Sequence, residues 1–304
     1  MSSTNWYVDL ATQALDNLNL QIDPPLNNFV AETGNLAGMD VVFIQIAEFL
    51  EPEPLTPEVL IARAPYARPE AFIENLLACT GRGWLNQEGG KFCITEAGSM
   101  VAKAICELCD QLFNEIETLP ETEMKRLLAL LSRVTDAIKT LPEPTAKPAF
   151  GLCLCFDRGR SVSLLAQIRR RMLDLLAFWD DVHVSVWQPL EPEGQLWEAF
   201  TLVWREQVRT AAELAAQLTC RHYNETDYAA ALERLVARSW LVRWGDDKYI
   251  VHPKAAQMRQ QVQEDTEVLF ETAFADLNVT EMNEFQVLMA KFVQSQKPIE
   301  IPTG

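Results

Sequence analysis

Apolar residues recur at steps of three and four along most of the chain, the spacing that turns one face of a helix toward a core. Tyr7, Leu10, Ala14 and Leu18 open such a pattern, and Asp23-Pro24-Pro25 is expected to break it, because proline removes a helix donor and crowds the preceding turn. From Gly38, the segment Val41 to Leu50 reads as a buried helix stopped by Pro52 and Pro54. Thr56-Pro57-Glu58 then starts a short helix to about Arg63, with Thr56 as cap and Pro57 at the first helical position. Pro65 to Ala67 make a turn, and Arg68-Pro69-Glu70 opens a second helix whose core side reads as Phe72, Ile73, Leu76 and Leu77.

The period changes at Trp84. Trp84-Leu85 and Lys91 to Thr95 read as two short strands joined by Gly89-Gly90, a pair that supplies the positive φ of a tight hairpin. A long helix follows from about Ala97 to Glu117. Pro120 ends it, Thr122 can cap the next, and Met124 to Ile138 is amphipathic with Leu127, Leu128, Leu130, Leu131 and Val134 on its apolar face. Three prolines mark residues 140–149 as a linker, which divides the chain into 1–139, 140–149 and 150–304.

The second part repeats the order. Phe150 to Phe156 reads as a short strand, and Ser161 to Ala177 as a helix that continues to Trp187 before Pro189 and Pro192. Trp197, Phe200 and Trp204 then form a buried helix. Thr210 to Glu213 caps the next, Asn224 to Asp227 opens another, and a hairpin turns at Gly245-Asp246-Asp247. A long helix from Pro253 to about Phe274 and a last one from Glu281 to Val293 close the series before a tail from Lys297 to Gly304. Gly38 pairs with Gly194, Thr56 with Thr210, Phe72 with Tyr228, Trp84-Leu85 with Trp240-Leu241 and Leu112-Phe113 with Leu269-Phe270. The consistent order indicates an internal duplication.

Helix, helix, strand, hairpin, strand, helix is the order of a winged helix. With Gly81-Arg82-Gly83-Trp84-Leu85, Phe92 to Gly98 and the break at Leu119 to Glu123, each half resembles the MarR-type winged-helix regulators. A weaker resemblance, on Asp180 to Val184 and Glu264 to Glu267, is to SalK-like tandem helix-turn-helix proteins. The first resemblance implies a mainly α fold with small β-wings. Two tandem winged-helix modules would pack as a pseudo-dimer through long framework helices, as a monomer or a homodimer. It also implies a transcription regulator of double-stranded DNA with a small-molecule effector.

Charge complicates that expectation. The 304 residues carry a net charge of −17, whereas nucleic-acid affinity rests on local positive charge. Thr56 to Met100 holds four basic against five acidic residues, and Arg209 to Ala255 seven against six, so the modules are near neutral. The side chains that would face DNA are Arg68, Asn75 and Lys91 in the first half, and Asn224, Thr226, Arg234, Arg243 and Lys248 in the second. The alternative is a winged-helix scaffold without DNA binding that holds a small molecule or a protein.

Candidate chemistry concentrates before the second module. Trp179, Asp181, His183 and Trp187 could line a ligand pocket. Asp180 and His183 share a helix face, and the plainer expectation is a structural Asp–His hydrogen bond. Arg169 to Arg171 reads as a solvated or ion-paired face. Cys106-x-x-Cys109 lies inside a helical pattern with no second pair, so it reads as structural thiols, and Cys153-x-Cys155 reads the same way. No nucleophile elbow, phosphate loop or zinc-protease pattern is present, so no enzyme, metal or cofactor is expected. No apolar run approaches the roughly 20 residues of a membrane span, and the start lacks a secretory signal, so the cytoplasm is the expected location.

Overall fold

The computed structural model describes residues 5–32, 38–156, 162–191 and 193–296; Pro192 and the expected tail lie outside them. The fold is mainly helical with two small antiparallel two-stranded sheets. Its first half runs α1 (Asn5–Glu32), α2 (Gly38–Leu50), α3 (Pro57–Arg63), α4 (Pro69–Gly81), β1 (Leu85–Glu88), β2 (Lys91–Ile94), α5 (Glu96–Glu115) and α6 (Glu121–Ile138). After α7 (Pro148–Cys155) come α8 (Leu164–Trp187), α9 (Gly194–Trp204), α10 (Ala211–Gln217), a 3₁₀ turn (Thr219–Arg221) and α11 (Glu225–Ala237). The chain ends with β3 (Leu241–Trp244), β4 (Lys248–Val251), α12 (Pro253–Glu271), a second 3₁₀ turn (Thr272–Phe274) and α13 (Val279–Ser295).

Local chemistry explains many of these boundaries. Gly89 and Gly90 take φ of +56° and +80° between β1 and β2, a conformation that costs a side chain dearly. Capping boxes start α10 at Thr210/Glu213, α11 at Asn224/Asp227 and α13 at Asn278/Glu281. The backbone hydrogen bonds of the two halves also correspond. Thr95 donates to the Trp84 carbonyl as His252 donates to that of Trp240, and Phe92 donates to Leu55 as Tyr249 donates to Arg209.

Three cores hold the molecule. One lies under the first hairpin and includes Phe43, Leu60, Phe72, Leu76, Trp84 and Phe92. A second lies under the other hairpin and includes Trp187, Trp197, Phe200, Tyr228, Leu232 and Tyr249. The third is a framework built from both sides of residues 140–149, with Tyr7, Leu18, Leu127, Leu131, Met172, Phe178, Phe270, Phe285 and Phe292 in one apolar cluster. Each half therefore completes the other's helical layer.

Four sequence expectations change. α1 continues through Pro24 and Pro25 to Glu32. Each interior proline costs about 3 kcal/mol, but each large apolar side chain fully buried returns about 1.5–3 kcal/mol. Tyr7, Ala14, Leu15, Leu18 and Ile22 are buried in the framework, and Leu26 and Phe29 pack on the first hairpin's core. Phe150 to Phe156 is not a strand: Pro148 starts helix α7 there, as a short apolar run permits. Pro120 rather than Thr122 occupies the N-cap position of α6, with no side-chain cap hydrogen bond. On α4 only Phe72 and Leu76 of the expected core side are buried, while Ile73 and Leu77 are 41% and 45% exposed.

Candidate functional site

The side chains expected to face DNA are largely engaged. Arg68 lies 3.0 Å from the Glu74 carboxylate, Arg234 pairs with Glu193, and Arg243 pairs with Glu233. Asn75 donates to the Ala71 carbonyl one turn back at 2.8 Å, and the Asn224 side chain accepts the Asp227 amide at 3.0 Å as the cap of α11. Lys91, Thr226 and Lys248 are exposed, with Lys91 directly opposite Glu88 across its hairpin.

The turns before α4 and α11 meet. The Arg68 amide donates to the Arg221 carbonyl at 2.9 Å, and the Arg221 guanidinium lies 5.5 Å over the Tyr66 ring. Tyr66 in turn accepts from Trp187 Nε1 at 3.0 Å. Gly194, at the start of α9, makes this approach possible, because a Cβ there would lie only 2.7 Å from the Pro65 carbonyl carbon. Arg63 reaches Asp180 on α8 at 3.1 Å and adds a second tie.

A cavity of about 180 Å³ opens beside this junction, lined by Tyr66, Trp179, His183, Trp197, Arg205 and Arg259 among others. Of the four ligand candidates, Trp179 and His183 reach it. Trp187 is fully buried behind it, stacked on Trp197 with the rings 7° from parallel. Asp181 points elsewhere. Its carboxylate accepts the Ala149 and Phe150 amides at 2.9 and 2.8 Å and so anchors the first turn of α7. Burial raises its pKa to about 6, against the lowering effect of those two amides.

The expected Asp180–His183 hydrogen bond does not form. Asp180 is drawn to Arg63, while His183 Nδ1 sits 3.1 Å from Thr266 Oγ1 and its Nε2 3.3 Å from Trp197 Nε1. The Thr266 hydroxyl proton goes to the Val262 carbonyl at 2.7 Å, so its oxygen accepts from His183. Indole N–H only donates, which makes Nε2 an acceptor and fixes a neutral imidazole protonated at Nδ1. Burial, with Arg259 and Arg205 nearby, lowers the His183 pKa to about 3.

Arg259 was not among the sequence candidates. It is 1% exposed, donates from Nε to Thr201 Oγ1 at 3.1 Å and from Nη1 to Gln263 Oε1 at 3.4 Å, and lies 5.3 and 4.9 Å from the Trp197 and Trp204 rings. All four of these neighbours are neutral. Burial, with Arg205 nearby, lowers its pKa to about 10. The signal lay in the periodicity: Ala255, Arg259, Val262, Thr266 and Phe270 form the buried stripe of α12, and one of them is charged.

Two of the three arginines of the tri-basic run are ion-paired, and Arg169 lies 5.5 Å over the Phe113 ring. Arg170 and Arg171 hold the buried Asp174 at 2.9 and 3.1 Å. Among the described residues no three His, Cys, Asp or Glu side chains gather as metal ligands, and no helix is long and apolar enough to cross a membrane. No protein-family model, curated protein or solved structure matches the chain.

Proposed function

We propose that this chain is a tandem winged-helix protein whose helix-turn-helix turns lock its two halves together, and that it works as a binding scaffold rather than as a reader of paired DNA half-sites. The observation that carries this reading is the 2.9 Å bond between Arg68 and Arg221. Chain reach from that bond keeps the starts of α4 and α11 within about 20 Å of each other. Paired helix-turn-helix readers present those ends about 34 Å apart, one turn of the duplex. The exposed face of α4 adds Ile73 and Leu77 beside Glu70 and Glu74, which suits neither phosphate nor base edges. Cys79, Cys93, Cys106, Cys109, Cys153, Cys155 and Cys220 form no disulfide, which fits a reducing compartment, and we take that to be the cytoplasm.

The second reading is a MarR-like regulator that binds double-stranded DNA under control of an effector. The recurrence of helix, turn, helix and hairpin in both halves favours it, as does the exposure of Lys91, Thr226 and Lys248. Titration of the whole chain against random duplex DNA across a salt series separates the two. The scaffold reading expects binding weaker than the usual non-specific range, with a Kd above about 10⁻⁴ M and no measurable salt slope. Tight binding whose log affinity falls steeply with log salt would establish the regulator instead.

A further inference from the structure

The cavity at the junction of the halves contains a charge that the protein does not neutralise. Buried arginines are ordinarily paired, because an isolated charge away from water is costly. No described carboxylate lies within ion-pairing distance of Arg259 or of Arg205. The nearby acids are committed elsewhere. Glu198, which lines the cavity, is held by the Arg221 guanidinium at 2.7–3.1 Å, and Asp180 is held by Arg63. Gln263 separates Arg259 from Glu267 by accepting from the one at 3.4 Å and donating to the other at 3.0 Å.

A third donor faces the same space. The Tyr66 hydroxyl accepts from Trp187, and its own proton has no acceptor among the described residues. Burial and the nearby Asp180 keep that hydroxyl protonated. His183 is neutral and adds no charge. Trp179 and Leu202 supply apolar wall, whereas the Trp197 ring already stacks on Trp187 and carries the Arg259 guanidinium 5.3 Å from its centre.

We infer that this cavity binds a small organic monocarboxylate. Its carboxylate lies between Arg259, Arg205 and the Tyr66 hydroxyl, and its apolar body lies against Trp179 and Leu202. Arginine suits a carboxylate because its planar fork matches two oxygens. One charge is favoured over two because Arg205 is exposed and solvated, which leaves a single buried cation, and because the Glu198 carboxylate lines the same space. Size sets the rest. An apolar cavity of about 150 Å³ holds benzene, so about 180 Å³ admits a body no larger than one six-membered ring. The inference does not depend on how the DNA titration falls.

The test uses the full chain and its intrinsic tryptophan fluorescence, since Trp179 and Trp197 line the cavity. Benzoate and butyrate are titrated, with neutral benzamide and inorganic phosphate as the comparison arms. At least one of the two acids should give a saturable change that benzamide and phosphate do not. Arg259→Met should weaken that binding by at least about 30-fold, the loss typical of removing one partner from a buried charge pair. The same variant should melt no lower than the parent without ligand, because a well-packed apolar side chain replaces a charge lacking its counter-ion. If Arg259→Met does not fold, Arg205→Gln takes its place and should weaken binding several-fold. No saturable signal from either acid, equal response to benzamide, binding of phosphate alone, or undiminished binding in the arginine variant would each overturn the assignment.

Discussion

Gly194→Ala is expected to lower the melting temperature by about 2–5 °C, from an overpacking cost of about 1–3 kcal/mol in a chain of this size. The added methyl meets backbone rather than a movable side chain, since the Pro65 carbonyl carbon would lie 2.7 Å from it. Either α9 shifts or the turn from Pro65 to Arg68 withdraws. Withdrawal removes the Tyr66 hydroxyl from Trp187 Nε1 and strains the bond from Arg68 to Arg221. Calorimetry reads the first consequence. Acrylamide quenching reads the second, because Trp187 is fully buried and should become accessible once Tyr66 leaves. A variant that melts like the parent with Trp187 still shielded would show that the halves do not depend on this approach.

His183 should contribute a loss of stability in acid. The folded state holds this imidazole neutral with a pKa near 3, against about 6.5 in an unfolded chain. Below pH 6.5 the unfolded state therefore binds the extra proton, and stability present above that pH is lost progressively as pH falls toward 3. Between pH 6.5 and 4 the loss amounts to about 2–3 kcal/mol. Asp181 acts in the opposite sense. Its folded pKa near 6 lies above the unfolded value of about 4, so its contribution is largest below pH 4 and is lost as pH rises through 6. The two nearly cancel over that window in the parent protein. Comparing urea unfolding of the parent with His183→Gln from pH 7 to pH 4 isolates the histidine, because Asp181 is common to both. The two curves should converge as pH falls. Parallel curves would mean that His183 is not held neutral.

Much of the helical order was legible because it is written in local chemistry. Thr56 and Pro57 place the start of α3, Gly89-Gly90 the first hairpin, and two capping boxes the starts of α10 and α11. The misreadings fall where distant residues decide. Pro24 and Pro25 predict a break, yet packing on two different cores carries α1 through them. The segment from Phe150 predicts a strand, yet the Asp181 carboxylate, about 30 residues later, satisfies the first amides of a helix.

The candidate site was half legible for the same reason. Trp179, His183 and Trp187 follow one another at steps of four on α8, which marks a shared face, and Asp181 falls off that face. Tyr66 and Arg205 carry no such pattern, because their place at the cavity depends on how one half docks on the other. Arg259 announced itself only as a charge within an apolar stripe.

The correspondence between the two halves also sets a stoichiometry. Arg259 is the seventh residue of α12, and the seventh residue of α5 is Ala102, equally buried but uncharged. A symmetric homodimer would carry such a pocket twice and could fill the two cooperatively. Here backbone hydrogen bonds of the two halves correspond, while the side chains at these two positions differ. Occupancy is therefore expected at one equivalent per polypeptide with a Hill coefficient of one, which isothermal calorimetry would read directly.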